Sequence, residues 1–143
     1  MVAYLDVSFE PDHEIRDQLD ELLTAFNREH RPPQAGTKGA KAFAVVLKSD
    51  NEPVLGGLWA NIYADWMFVE LLFVPEHLRG QAFGTQLLMQ AEDHAKSLGL
   101  VGMWLDTYSF QARPFYERHG FEVFGQLDDF PIGGTRYFLK KIF

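Results

Sequence analysis

The chain has 143 residues, 47% of them hydrophobic and 23% charged, with a formal charge of -7 and no cysteine. That length suits one domain, residues 1–143, burying about two thirds of its unfolded surface, and the lack of any apolar run of about 18 residues excludes a membrane-spanning helix. The missing thiols exclude disulfides, thiolate metal sites and a cysteine nucleophile, and the negative charge argues against a nucleic-acid backbone as the main partner.

A metal site would have to draw on His13, His30, His77, His94 and His119, and no two of these stand at HxH or HxxxH spacing, so no metal is expected. The opening "MVAYLDVSFEPDHE" lacks the basic start and apolar middle of a signal peptide, and a cytoplasmic protein without a membrane partner is expected. Within it "AYLDVSF" reads as a short strand. After Pro11, Ile15, Leu19, Leu22, Leu23 and Phe26 recur at steps of three and four, the apolar stripe of a helix with Asp12 as N-cap. "HRPPQAGTKGA" breaks that helix with prolines and glycines and is the best stretch for a lid. "KAFAVVLKS", "PVLGGLWANIYA" and "DWMFVELLFV" follow as strands joined at "DNEP" and near Ala64 and Asp65, an antiparallel meander.

From Ala82 the period turns helical, with Gly84, Leu87, Leu88, Ala91, Ala95 and Leu98 on one face and Gly99 as the stop. "VGMWLDTYS" is a strand, "QARPFYERHG" a short helix ended by Gly120, and "FEVFGQLDD" and "TRYFLKKIF" a closing pair of strands. The fold class is α+β: a mostly antiparallel sheet of six to seven strands with helices on both faces. The fourth and fifth predicted strands, joined through a crossover helix, run parallel.

The junction "VPEHLRGQAFG" carries a strand through a short loop straight into a helix. A helix start presents unpaired N–H groups and a partial positive charge, small residues let an anion approach them, and Arg79 adds a guanidinium fork. GxxxxGK[ST] is absent, and GxGxxG would need a different βαβ unit. On local features alone, Gly80 and Gly84 serve a phosphate turn and a tight structural turn equally well.

"RGQAFG" resembles the R/Q-x-x-G-x-G/A signature of the GCN5-related N-acetyltransferases (GNAT), and it lies between a strand and a helix as that signature requires. "ARPFYERHGFEVFG" resembles the A-x-x-FY-x-x-x-GF element of the same superfamily, at the usual distance downstream. The detailed match spans Trp66 to Gly125. The resemblance implies an N-acetyltransferase that moves an acetyl group from acetyl-CoA to a primary amine of a small molecule or peptide. It also implies that the backbone of Leu72 and Val74 pairs with the pantetheine arm. The stretch Arg79, Gly80, Gln81, Ala82, Phe83, Gly84 and Thr85 would hold the pyrophosphate, and Ser109 stands where an asparagine often contacts the cofactor. Ala82 replaces the first glycine of the signature. With a negative φ its amide would still point at a phosphate, at the cost of slightly altered affinity.

Amine attack on a thioester needs a neutral amine, and the departing thiolate is helped by gaining a proton. Glu70, inside the apolar "WMFVELLFV" and on the face of Leu72 and Val74 by the two-residue period, is the expected base, directly or through water. The bland alternative is a carboxylate paired to a neighbouring strand. Tyr116 matches the tyrosine that in many family members protonates the coenzyme A sulfur, with Phe115 packing beside it; the alternative is that both only pack a short helix. Trp66, Asp106, Tyr108 and Asp128, with Tyr63, Phe130 and Asp129 nearby, are the expected acceptor walls, aromatic and acidic groups suiting an amine. Asp128 and Asp129 have a competing reading as turn residues, and Lys140 and Lys141 read as a solvated end. A homodimer is compatible with the sequence. A non-catalytic acyl-CoA sensor is the alternative function, which the presence of both Glu70 and Tyr116 disfavours.

Overall fold

A computed structural model describes residues 1–31 and 41–143. The chain divides into two units, residues 1–35 and 36–143, each taken by itself below. The lid expected at residues 30–40 falls almost wholly on 32–40 and lies outside the described residues.

The first unit holds one helix, α1 (His13–His30). Asp12 accepts a hydrogen bond from the Glu14 N–H at 3.1 Å, the N-cap its position predicts, and the Arg31 N–H closes the other end on the Asn27 carbonyl at 2.8 Å. The strand expected at "AYLDVSF" does not form, and residues 1–8 take no regular structure. Strand propensity in a short stretch does not by itself make a strand, which exists only by exchanging backbone hydrogen bonds with a neighbour.

The second unit is built on a six-stranded sheet of β1 (Lys41–Leu47), β2 (Gly56–Tyr63), β3 (Trp66–Phe73), β4 (Gly102–Tyr108), β5 (Glu122–Asp128) and β6 (Thr135–Ile142). Their order across the sheet is β1-β2-β3-β4-β6-β5. Strands β1 to β3 form the antiparallel meander that alternation predicts, and β6 sits antiparallel between β4 and β5. The parallel pair is β3 and β4, the fourth and fifth strands of the sequence reading renumbered by the missing first strand.

Helix α2 (Phe83–Ser97) makes the crossover between the parallel strands. Its stripe of Leu87, Leu88, Ala91 and Ala95 is buried with Leu58, Ala60, Ile62, Met67, Val69, Met103, Leu105 and Leu139 from one face of the sheet. At about 25 cal/mol per Å² of apolar surface, this shared layer is the main stabilising term of the unit. The helix ends in a Schellman arrangement: Gly99 at φ 68° lets its N–H reach the Lys96 carbonyl and the Leu100 N–H reach Ala95. A short helix, α3 (Arg113–Arg118), follows β4 and is stopped by Gly120 at φ 87°.

Two features shape what lies between β3 and β4. Their pairing covers only Trp66–Phe68 against Gly102–Trp104. Beyond it, β3 carries one extra residue: Leu71 faces Trp59 and Val69 faces Ala60, so Glu70 has no partner on β2. A bulge bends and twists the strand that contains it, and here it turns β3 away from β4.

Candidate active site

Where β3 and β4 part, a cleft of about 810 Å³ opens, lined on one side by Val69 to Val74 and on the other by Leu105, Asp106 and Thr107. The start of α2 closes one end, and Phe110, Gln111, Ala112, Phe115 and Tyr116 supply another wall. No more than three residues of each strand take part in the parallel ladder, so the edge of β3 beyond Phe68 presents unpaired donors and acceptors toward β4.

The α2 start is built to receive something. Ala82 is its N-cap residue, and no side chain caps the helix. The first intrahelical bond runs from the Gln86 N–H to the Ala82 carbonyl at 3.0 Å, leaving the preceding amides at the cleft. Ala82 has φ 64° and ψ 16°, in the left-handed region, which corrects the negative φ expected for it. Glycine adopts that region without the Cβ clash an L side chain meets, which is why glycine suits the position. Gly84 answers a second constraint: a Cβ on it would stand 3.3 Å from the Phe115 ring of α3. Arg79 is pinned by its Nε, which donates to the Val74 carbonyl at 3.1 Å and aligns the loop with the end of β3. Thr85 Oγ1 lies 3.1 Å from His119 Nε2, tying the first turn of α2 to the end of α3.

Of the residues expected to hold the co-substrate, Leu72, Val74, Arg79, Gly80, Ala82, Phe83, Gly84 and Thr85 line the cleft, while Gln81 and Ser109 do not. The Ser109 hydroxyl accepts from the Thr135 N–H at 3.1 Å, toward β6. Gln111, which the sequence reading passed over, stands at the wall instead. Its Oε1 accepts from the Thr107 hydroxyl and from the Tyr108 N–H, both at 3.1 Å, so its amide nitrogen must point elsewhere. A backbone N–H can only donate, which fixes that orientation. The signal available was a glutamine just past a strand end, where a side chain readily caps the chain.

Glu70 and Tyr116 both line the cleft. The bulge changes the face assigned to Glu70. Leu72 and Val74 pack with the core beside Leu58, whereas the Glu70 carboxylate accepts from Asn61 Nδ2 at 2.5 Å. Asn61 pairs with Phe68 and alternates with the buried Ala60 and Ile62, so it lies on the opposite face. A period of two holds only without an inserted residue. The Trp59 indole N–H donates to Asn61 Oδ1 at 3.3 Å, which fixes the amide so that its nitrogen faces Glu70. Tyr116 is mostly buried, and burial first, then the charge on Asp106, pushes its hydroxyl up to about 12. It therefore keeps its proton across the whole neutral range.

The expected acceptor walls separate into three groups. Asp106 lines the cleft, and Tyr108 stacks on the cleft residue Phe110 at 5.3 Å and on Phe130 at 6.0 Å. Trp66 and Tyr63 sit at the far end of β3 and β2, with the Trp66 ring against Gly102 in the paired half of the strands. Asp128 and Asp129 hold the β5–β6 connection, Asp128 accepting from Gln126 and Thr135, and Asp129, at φ 55°, accepting from the Gly133 N–H. Lys141 is not a solvated end: its Nζ lies 2.8 Å from Glu92, which also meets Lys96 at 2.8 Å. Among the described residues, no group of three or more His, Asp or Glu side chains could hold a metal ion, and no helix is long and apolar enough to cross a membrane.

A splayed parallel pair, an uncapped helix start and a half-buried tyrosine thus meet at one cleft. Among known proteins, the family model described as "Acetyltransferase (GNAT) family" matches residues 6–121. The chain is 33% identical over 132 residues to "Acetyltransferase Atu2258" of Agrobacterium fabrum, covering 92% of this chain and 93% of that one. It is 30% identical over 123 residues to "Blasticidin-S acetyltransferase" of Streptomyces morookaense, covering 85% and 90%. A crystal structure of an acetyltransferase from Bacillus cereus matches with a TM-score of 0.88 at 25% identity, over 96% of this chain and 98% of that one. The chain belongs to the GNAT family of acetyltransferases. It is an N-acetyltransferase.

Proposed function

We propose that the cleft between β3 and β4 transfers the acetyl group of acetyl-CoA to a primary amine of a small molecule or peptide, with Glu70 as base and Tyr116 as acid. The observation that carries this reading is the parting of two parallel strands after three paired residues, with both side chains and the uncapped α2 start on the opening. The free edge of β3 at Leu72 and Val74 suits the pantetheine arm, as an added strand. The amides from Gln81 to Thr85 and the outer nitrogens of Arg79 suit the pyrophosphate, and the Gln111 amide nitrogen supplies a further donor. Ser109 is a weaker donor, since its oxygen already accepts from Thr135.

Acetyl-CoA brings an electrophilic thioester carbonyl. Glu70, held by Asn61, removes a proton from the acceptor's ammonium so that the nitrogen lone pair forms the new C–N bond. As the C–S bond breaks, the nitrogen sheds its second proton to water, Tyr116 gives its proton to the sulfur and regains one from solvent, and Glu70 releases the proton it took. Asp106 stands on the acceptor side, Tyr108 and Phe110 give it an aromatic flank, and Trp66 and Asp128 are more remote contributors. The relative that acts on blasticidin S supports a small-molecule acceptor.

Following free thiol with acetyl-CoA and a panel of polyamines, aminoglycosides, amino acids, nucleoside antibiotics and peptides tests the reading directly. At least one acceptor should release thiol well above the background hydrolysis rate. Glu70→Gln should depress that rate most at low pH, where the amine is hardest to deprotonate. Acetyl-CoA binding without acceptor-dependent thiol across the panel favours a sensor instead.

A further inference from the structure

We infer that Arg136 selects acceptors that carry a carboxylate besides the reacting amine. This rests on the acetyl-transfer reading above and names the substrate class for the same cleft.

Arg136, on β6 opposite Tyr108, donates from Nε and from Nη2 to a single oxygen, Oδ1 of Asp106, at 3.0 Å in each case. A guanidinium has five N–H donors in a planar fork, so two are used and three remain. Among the described residues none of the three finds an acceptor. The guanidinium carbon instead lies 5.0 Å from the Phe130 ring, 5.2 Å from Phe138 and 5.7 Å from Tyr108, three rings that accept no ordinary hydrogen bond. The side chain is only 27% exposed, so water reaches part of the fork and the rings cover the rest.

An arginine kept only to neutralise Asp106 would meet both carboxylate oxygens with a two-pronged contact, the stronger arrangement. Here the prongs converge on one oxygen, which leaves three N–H groups and Asp106 Oδ2 without a hydrogen bond to a described residue. Asp106 and Phe110 line the cleft, and Tyr108, stacked on Phe110 and 5.7 Å from the Arg136 guanidinium, stands between Arg136 and that lining. The pair is neutral overall, so it makes a poor trap for a polycation. It does offer a negative point for an ammonium beside a planar positive fork for a carboxylate, the complement of an amino acid-like molecule.

The test steps the distance between amine and carboxylate, using glycine, β-alanine, γ-aminobutyrate and 4-(aminomethyl)benzoate, each against its methyl ester, with thiol release as the readout. At least one acid should exceed its ester by about tenfold or more in kcat/KM, carried by KM, equivalent to roughly 1.4 kcal/mol. In Arg136→Gln the acid-to-ester ratio should fall to near one. Arg136→Lys keeps the charge without the fork and should give an intermediate ratio, which serves if the glutamine variant does not fold. Esters acetylated as well as acids by the wild-type protein would overturn the selection while acetyl transfer stands. Bound acetyl-CoA with no thiol release from any member or from the wider amine panel would overturn both.

Discussion

The two halves of the β3–β4 pair differ more than two strands side by side ordinarily do. From Trp66 to Phe68 they form a parallel ladder, with Met67 and Met103 fully buried and Phe68 stacked on Trp104 at 4.2 Å. From Glu70 onward they share no ladder, and the cleft between them is lined by the carboxylates of Glu70 and Asp106 together with Gln111 and Tyr116 from beyond the strands. One half is packed against α2 as a stability element, and the other, which carries a single inserted residue, borders the cleft proposed as the active site. Packing and the proposed chemistry thus occupy successive stretches of the same two strands, and each half can be perturbed separately.

The largest effect is expected in the closed half. A Cβ on Gly102 would lie 2.4 Å from the Lys141 carbonyl oxygen and 2.8 Å from the Trp66 ring, so Gly102→Val should cost roughly 3 kcal/mol or more. Thermal unfolding would register it as a fall of about 10 °C or more, or as insoluble protein. A near-normal melting temperature would show that the ladder contributes little. In the open half, Tyr116→Phe should leave melting almost unchanged and lower kcat about a hundredfold, with acetyl-CoA affinity within about twofold. Because burial and Asp106 raise the Tyr116 hydroxyl to about 12, the wild-type rate should show no alkaline fall assignable to this group below roughly pH 11. A fall near pH 10 that disappears in Tyr116→Phe would contradict that.

Behind the closed half, Glu92 joins α2 to β6 through Lys141. Burial acts to raise the Glu92 carboxyl, but its hydrogen bonds to Lys141 and Lys96 outweigh it and the net shift is downward. A group depressed in the folded state stabilises above its unfolded value near 4.3, and that contribution disappears as pH falls through the lower folded value. Glu92→Gln should therefore cost about 1 kcal/mol at pH 7 and progressively less below roughly pH 4, measured by urea unfolding at each pH. The smallest effect is expected at the turn between the halves, where Ala82→Gly should gain at most about 1 kcal/mol by removing the left-handed strain. Unaltered or lower stability would mean that the chain already accommodates the methyl without cost.

The closed half was also the legible one. Alternation in "GLWANIYA" and the three-four spacing of Leu87, Leu88, Ala91 and Ala95 report burial directly, because packing against a face is what imposes those periods. The open half resisted the same treatment. A two-residue period carries Glu70 to the face of Leu72, and only the two-for-one pairing against Trp59 and Ala60 moves it to Asn61. Arg136 carried no signal at all, since its role depends on Asp106, thirty positions away along the chain and beside it across the sheet. "AYLDVSF" has strand propensity, yet residues 1–8 take no regular structure, because propensity in a short stretch does not by itself make a strand.

On the proposed reading, the uncapped start of α2 also links folding to occupancy. Amides left without a protein acceptor are satisfied by water when the protein is alone and by an anion when one is bound, so the folded form alone gains from that exchange. By mass action, a ligand at a hundred times its dissociation constant adds about 2.7 kcal/mol to the folded state, which for a chain of this size corresponds to a melting shift of roughly 5–10 °C. The abundance of the protein in a cell would then follow the supply of its own acyl donor.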